Sequence, residues 1–267
     1  MNQELLTAYT QGKILLFVGA GVSSNLGLPT WSKLIDFIAE TLDYDPDVFK
    51  SYGDFLALAE YYNIKKGGIG NLRSWMDREW HSTNRKIEDS RIHELIAKGN
   101  FPLIYTTNYD NWIEKACDFY KIEYNKIINV NDIANGIQSR REIVKFHGDF
   151  SDDNSIVLGE TSYYERLDFN TPLDIKLRAD SLGRTVLFIG YSLNDINTRY
   201  LFYKLTNLWK RYGGNFRKPQ SFIFMPKPNP IQETVLRQWG IETITSDTDN
   251  PGQALTSFLE DLVYSKE

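Results

Sequence analysis

Asn108, Asp110 and His147 are the residues of this chain whose types and settings best suit chemistry. An imidazole changes protonation near neutral pH and can take a proton from water or a sugar hydroxyl, while an asparagine amide both donates and accepts and so can orient either one. Asn108 and Asp110 sit in "TTNYD" (106–110) and His147 opens "HGD" (147–149), each directly after an apolar run. Taken singly these residues have structural readings too: Asn108 and Asp110 as caps of the following helix, His147 as a core histidine. His81 and His93 lie in polar, helix-like surroundings where surface or packing roles are expected.

Two further stretches have the same character. "GYSLND" (190–195) offers backbone amides and Ser192 ahead of a helix N-terminus, or else a plain cap by Ser192 or Asn194. "GAGVS" (19–23) follows "ILLFV", and glycines at 19 and 21 free the backbone to turn sharply and let a pyrophosphate approach amide N–H groups. That favours a nucleotide. A dehydrogenase-type fingerprint would place a third glycine where Ser24 stands and an acidic residue ~20 positions on at a strand end, whereas Glu40 falls in a helical stretch. The next helix is expected only near Trp31, capped by Thr30 or Ser32, with Gly27 and Pro29 turning an extra loop of about eight residues.

The elements that must position these groups follow from hydrophobic patterning. Runs at 14–20, 101–108, 142–149, 185–191, 221–226 and 241–246 read as buried strands. Helical patterns lie between them at 31–42, 110–120, 172–182, 195–210, 230–239 and 252–264. Strand and helix in alternation imply an α/β, Rossmann-like parallel sheet with helices on both faces. The rhythm breaks from about 44 to 98, where "DFLALAEYYN", "NLRSWMDREW" and "RIHELIAKG" predict a helical insertion turned by "KKGGIGN". Residues 1–267 are accordingly read as a single domain carrying that insertion. In such sheets ligands gather outside the carboxyl ends of the strands, where all four polar stretches fall.

Composition narrows the class. A net charge of -5 disfavours a surface built to grip nucleic acid, although residues 204–219 are locally basic, as a solvated helix end or a partner contact. No apolar run approaches the ~18 residues of a membrane span, and the N-terminal residues lack the pattern of a secretory signal, so a cytoplasmic location is expected. Cys117 is the only cysteine, which excludes an internal disulfide and any multi-cysteine zinc cluster; its helical setting predicts a core role.

The set "GAGVS", "TTNYD", "HGD" and "GYSLND", in this order along nearly the whole chain, resembles the sirtuin-like (silent-information-regulator-two-like) family, and within it the bacterial NAD hydrolases of anti-phage defence. The resemblance implies NAD as substrate and no metal. It implies that Gly19, Ala20, Gly21 and Ser23 line the dinucleotide phosphates, that Asn108 and Asp110 face nicotinamide and its ribose, that His147 is catalytic, and that Gly190 and Ser192 hold the adenosine half. Thr107, standing where the family's deacylases carry glutamine, joins the NAD-lining set. The family further implies a homo-oligomer and a separately encoded regulator, a HerA-type ATPase first and an Argonaute-type protein second. A zinc-free protein deacylase and a non-catalytic NAD or ADP-ribose sensor are the alternative functions.

Overall fold

The computed structural model describes residues 2–82, 84–168, 170–191, 196–212 and 221–265. Seven parallel strands form one sheet: β1 (Ile14–Val18), β2 (Leu103–Thr106), β3 (Tyr124–Ile127), β4 (Arg141–Lys145), β5 (Thr185–Ile189), β6 (Ser221–Met225) and β7 (Ile241–Thr245), in the order β3-β4-β2-β1-β5-β6-β7. β1, β5 and β6 are buried at every position, as expected of parallel strands covered on both faces.

Side-chain alternation divides the core between those faces. Leu16, Val18, Ile104, Ile143 and Leu187 pack against residues of helices Gln3–Thr10, Arg91–Lys98, Trp112–Phe119 and Pro251–Tyr264. Leu15, Phe17, Tyr105, Val144 and Phe188 meet helices Pro172–Leu182, Ile196–Tyr212 and Pro230–Gln238 on the other side. The Rossmann-like expectation is met, and Cys117 is wholly buried in the first of these clusters.

The chain passes from β1 to β2 on one side and reaches β5 on the other, so the strand order diverges at β1. Register makes neighbours of the strand ends: Val18 pairs with Thr106 and with Ile189, and Thr106 pairs with Lys145. The segments leaving β2, β4 and β5 therefore emerge beside the turn that leaves β1.

Helices Pro46–Lys50, Phe55–Lys66 and Gly70–Trp80 occupy much of the insertion. Asp45 and Asp54 cap the first two, and Gly67, at φ 68, closes the second in the left-handed conformation that "KKGGIGN" anticipates. Their apolar faces share a third core with Leu34, Ile35 and Ile38 of helix Trp31–Thr41 and with Tyr109, Phe150, Ile156 and Leu158 from the loops after β2 and β4.

Several elements escape the pattern reading, helices Val130–Asn135 and Glu160–Leu167 among them. β3, "YNKI", is a polar edge strand whose first three residues are only half-buried, so it lacks the apolar run used to find the others. Helix Gln3–Thr10 is held by its Asn2 cap. A one-turn helix, Ala20–Ser24, starts directly on Gly19, which corrects the expectation that no helix begins before residue 31. Five residues carry too little periodicity to reveal it, and tertiary contacts fix it. Thr30 does occupy the N-cap position of the next helix, although its side chain makes no capping bond.

Candidate active site at the carboxyl ends of the strands

The turn after β1 locks onto the turn after β5. Gly19 N–H donates to Ile189 O at 2.9 Å and Gly21 N–H to Gly190 O at 2.8 Å. A Cβ on Gly19 would lie 2.6 Å from Gly190 O; one on Gly190, where φ is +71, would lie 2.8 Å from both Gly19 O and Val22 N. These glycines thus permit two backbone turns to touch, and the Gly19 and Gly21 amides are engaged in that contact. Within "GAGVS", Ala20 is exposed at the rim while Ser23 is buried. Ser192 and Asn194 lie outside the described residues, as does the basic stretch beyond residue 212.

Asn108 is brought to the same turn. Its Nδ2 donates to Gly19 O and to Ser23 Oγ, both at 3.2 Å, and its backbone N–H donates to Thr106 Oγ1 at 3.0 Å. Thr107 Oγ1 lies 3.1 Å from the Tyr191 hydroxyl, which donates to Val18 O, so the loops after β1, β2 and β5 form one hydrogen-bonded assembly. With the amide nitrogen used on the glycine turn, the Asn108 carbonyl oxygen is the atom left to meet a ligand or a water.

The rest of the β2 loop is gripped in turn. Asp110 Oδ1 accepts from Trp112 N–H at 3.1 Å, a helix-capping contact, and the carboxylate is buried. Asp110 thus bonds the first helical residue, Trp112, from the position before the N-cap Asn111. Asn111 N–H donates to His81 Nε2 at 3.0 Å, and His81 Nδ1 lies 2.6 Å from Asp77 Oδ1. These partners define a neutral His81, protonated on Nδ1; burial lowers its pKa against the upward pull of Asp77. The Tyr109 hydroxyl donates to Val157 O at 2.6 Å, and its ring lies parallel to Trp80 with centroids 5.9 Å apart.

His147 stands two residues beyond β4, as Asn108 stands two beyond the adjacent β2. Its ring meets Tyr163 edge-on with centroids 5.1 Å apart. Burial, and secondarily the positive charge of Arg166, push its pKa down to about 3, so the ring is neutral at physiological pH. Arg166 spans Phe146, with its guanidinium carbon 4.9 Å from that ring centroid, and Thr171 and Asp174, at 2.8 and 3.5 Å. Gly148, at φ +96, is obligatory in "HGD", because a Cβ there would fall 2.2 Å from Ser155 O.

Sequence reasoning missed Lys145, Glu114, His81 and Arg166. Lys145 alone left a readable trace: it sits two positions after Ile143 in "EIVKFHGD" and so shares that residue's buried face. His93, by contrast, is a packing residue as expected, with Nδ1 2.6 Å from Ser90 Oγ and its pKa driven down to about 4 by burial.

Chemically, the strand ends offer a buried neutral imidazole, an asparagine amide, and a turn with a serine, at the position where α/β sheets bind ligands. Among the described residues no cluster of three or more His, Cys, Asp or Glu could hold a metal, and no helix is long and apolar enough to cross a membrane.

Comparison with known proteins gives the family. The SIR2-like domain profile matches residues 102–244, more than half of the chain, taking in Asn108, His147 and Gly190. Defense-associated sirtuin 2 of Bacillus subtilis is 32% identical over 243 residues, which make up 88% of this chain and 23% of that protein. NAD(+) hydrolase ThsA of Bacillus cereus (strain MSX-D12) is 30% identical over 202 residues, 73% of this chain and 40% of that protein. The ThsA of Cytobacillus dafuensis is 29% identical over 221 residues, 81% of this chain and 43% of that protein. The chain thus spans less than half the length of these relatives, and it belongs to the SIR2-like domain family.

Proposed function

We propose that this protein is an NAD(+) hydrolase that cleaves the bond between nicotinamide and ribose, and that it serves bacterial anti-phage defence by draining NAD. The observation that carries the reading is the placement of Asn108 and His147 beyond the ends of adjacent strands, with the Asn108 amide bonded to the glycine turn after β1. Relatives named as NAD(+) hydrolases and as a defence-associated sirtuin support it.

The chemistry requires little from the protein. Nicotinamide in NAD is a cationic leaving group: the glycosidic pair of electrons departs with it and neutralises the ring, so no acid need protonate it, unlike ordinary glycoside cleavage. Water supplies hydroxide to the ribose C1′ and releases its remaining proton to solvent, giving nicotinamide, ADP-ribose and H⁺. The Asn108 carbonyl oxygen orients the water or a ribose hydroxyl. An imidazole with so low a pKa is a poor proton store, so its part is to stay neutral and present a hydrogen-bond acceptor while the ribose becomes cationic. Gly19, Ala20, Gly21, Ser23 and Thr107 line the phosphate side in this reading, Asp110 the ribose side, and Gly190 and Ser192 the adenosine half.

Chromatography of NAD incubated with the purified protein tests the proposal. Nicotinamide and ADP-ribose should appear together, and Asn108→Ala or His147→Ala should slow their release by at least ~100-fold while the circular dichroism spectrum is retained. Undiminished turnover in either folded variant would overturn the assignment, and return of intact NAD would leave a binding module instead. We also assign the enzyme to a homo-oligomer held in check by a separately encoded partner, a HerA-type ATPase before an Argonaute-type protein. Size-exclusion chromatography tests this: a free monomer with full, unrestrained activity would remove it.

A further inference from the structure

Lys145 is fully buried at the end of β4, two residues before His147. Its Nζ donates to the backbone carbonyl of Asp110, two residues after Asn108. It also lies 3.3 Å from Glu114 Oε1 and 3.8 Å from Asp149 Oδ2. Glu114 belongs to the helix that follows the Asn108 loop, and Asp149 ends "HGD". One ammonium group therefore touches both loops that bear the proposed chemistry. Asp149 is held from its other side by Lys126 at 3.0 Å and by the Ser151 N–H and hydroxyl at 2.9 and 2.7 Å.

An ammonium ion has three protons to place and cannot be buried without acceptors. Here the hydrogen bond goes to Asp110 O, while neither Glu114 oxygen nor Asp149 Oδ2 has a hydrogen-bond partner among the described residues, despite their closeness in charge. Burial pushes the Glu114 carboxyl up against the pull of Lys145. The ammonium thus balances the charge of Glu114 and Asp149, and its hydrogen bond ties it to the loop backbone as well.

We propose that Lys145 is a positioning residue for NAD cleavage, a strut from β4 to the carbonyl of Asp110 that sets the Asn108 loop against His147. This rests on the hydrolase reading above. Lys145 has no contact with the reacting atoms; it acts through Asp110 O, and a displacement of about 1 Å in such a loop can cost ~100-fold in rate.

The test separates the strut from mere charge balance. Lys145→Met alone leaves Glu114 without its counter-charge, so Glu114→Met/Lys145→Met, which removes both charges, is the informative variant. It should melt within a few degrees of wild type, keep KM for NAD, lose at least ~10-fold in kcat, and exchange the amides of residues 107–112 faster by hydrogen–deuterium mass spectrometry. Should the methionine pair fold poorly, Glu114→Gln/Lys145→Gln replaces it under the same criteria. A folded double variant with wild-type kcat and unchanged exchange would overturn the proposal, leaving Lys145 as a neutraliser of Glu114. If wild type itself releases no nicotinamide, the hydrolase reading fails by itself, and the exchange at 107–112 still decides whether the strut exists.

Discussion

Acidification from pH 7.5 to 5.5 separates a buried, neutral His147 from an exposed catalytic histidine. An imidazole at the ordinary value near 6.5 would be about 10% neutral at pH 5.5, and kcat/KM would fall ~10-fold. With the pKa held at about 3 by burial and Arg166, His147 stays neutral over this range, and kcat/KM should change less than ~2-fold. Stability answers instead. The folded-state value lies below the unfolded one, so the unfolded chain gains a proton that the native state refuses. The stabilisation is complete above pH ~6.5 and erodes as pH drops toward the folded value. At pH 5.5 the loss is roughly 1 kcal/mol for His147 and about the same for His93, whose pKa is about 4. Urea unfolding at the two pH values measures the total, and His93→Leu should remove about half of it. The reasoning is refuted if kcat/KM titrates with a midpoint near 6.5 in protein that circular dichroism shows to be folded, or if His93→Leu leaves the pH dependence of stability unaltered.

Two further outcomes follow from the geometry. Gly190→Ala must hold a left-handed residue and place a methyl 2.8 Å from Gly19 O and Val22 N, so urea unfolding should register a loss of ~2 kcal/mol or more, and calorimetry should show weakened NAD binding. Arg166→Gln removes the charge that opposes protonation of His147, so the acid limb of the kcat/KM profile should move to higher pH; a shift to lower pH would contradict the assigned electrostatics.

Much of the fold could be read from the chain because parallel strands covered on both faces write continuous apolar runs, as β1, β2, β5 and β6 do, while β4 and the edge strand β7 keep shorter apolar signals at Ile143–Val144 and at Ile241 and Ile244. β3 could not, since an edge strand has a polar side. Asn108 and His147 stood out because chemistry in this architecture gathers where strands end, a rule that needs only the strand boundaries. The grip on them was hidden. His81 reaches Asn111 from a helix 30 residues earlier, and Lys145 reaches Asp110 across 35, contacts that no local pattern encodes. The glycine turn was half understood: its freedom is used for a backbone contact with Gly190, an element 169 positions after Gly21, and no spacing rule announces that.

The buried ionisable groups argue for the site independently of any resemblance. Apart from tyrosines and Cys117, those among the described residues are His93, Asp110, Glu114, Lys145, His147, Asp149 and Asp174. Asp110, Glu114, Lys145 and Asp149 surround the Asn108 and His147 loops, Asp174 holds the Arg166 that faces His147, and the charge of Asp110 reaches His93. Buried charges seldom stabilise as much as apolar side chains of equal volume, so a core selected for stability alone would not collect them at the carboxyl end of one sheet. Their concentration there, beside a histidine kept neutral and a loop bonded from several sides, has the form of a preorganised site, in which fixed dipoles are arranged before a ligand arrives and need not reorient around it.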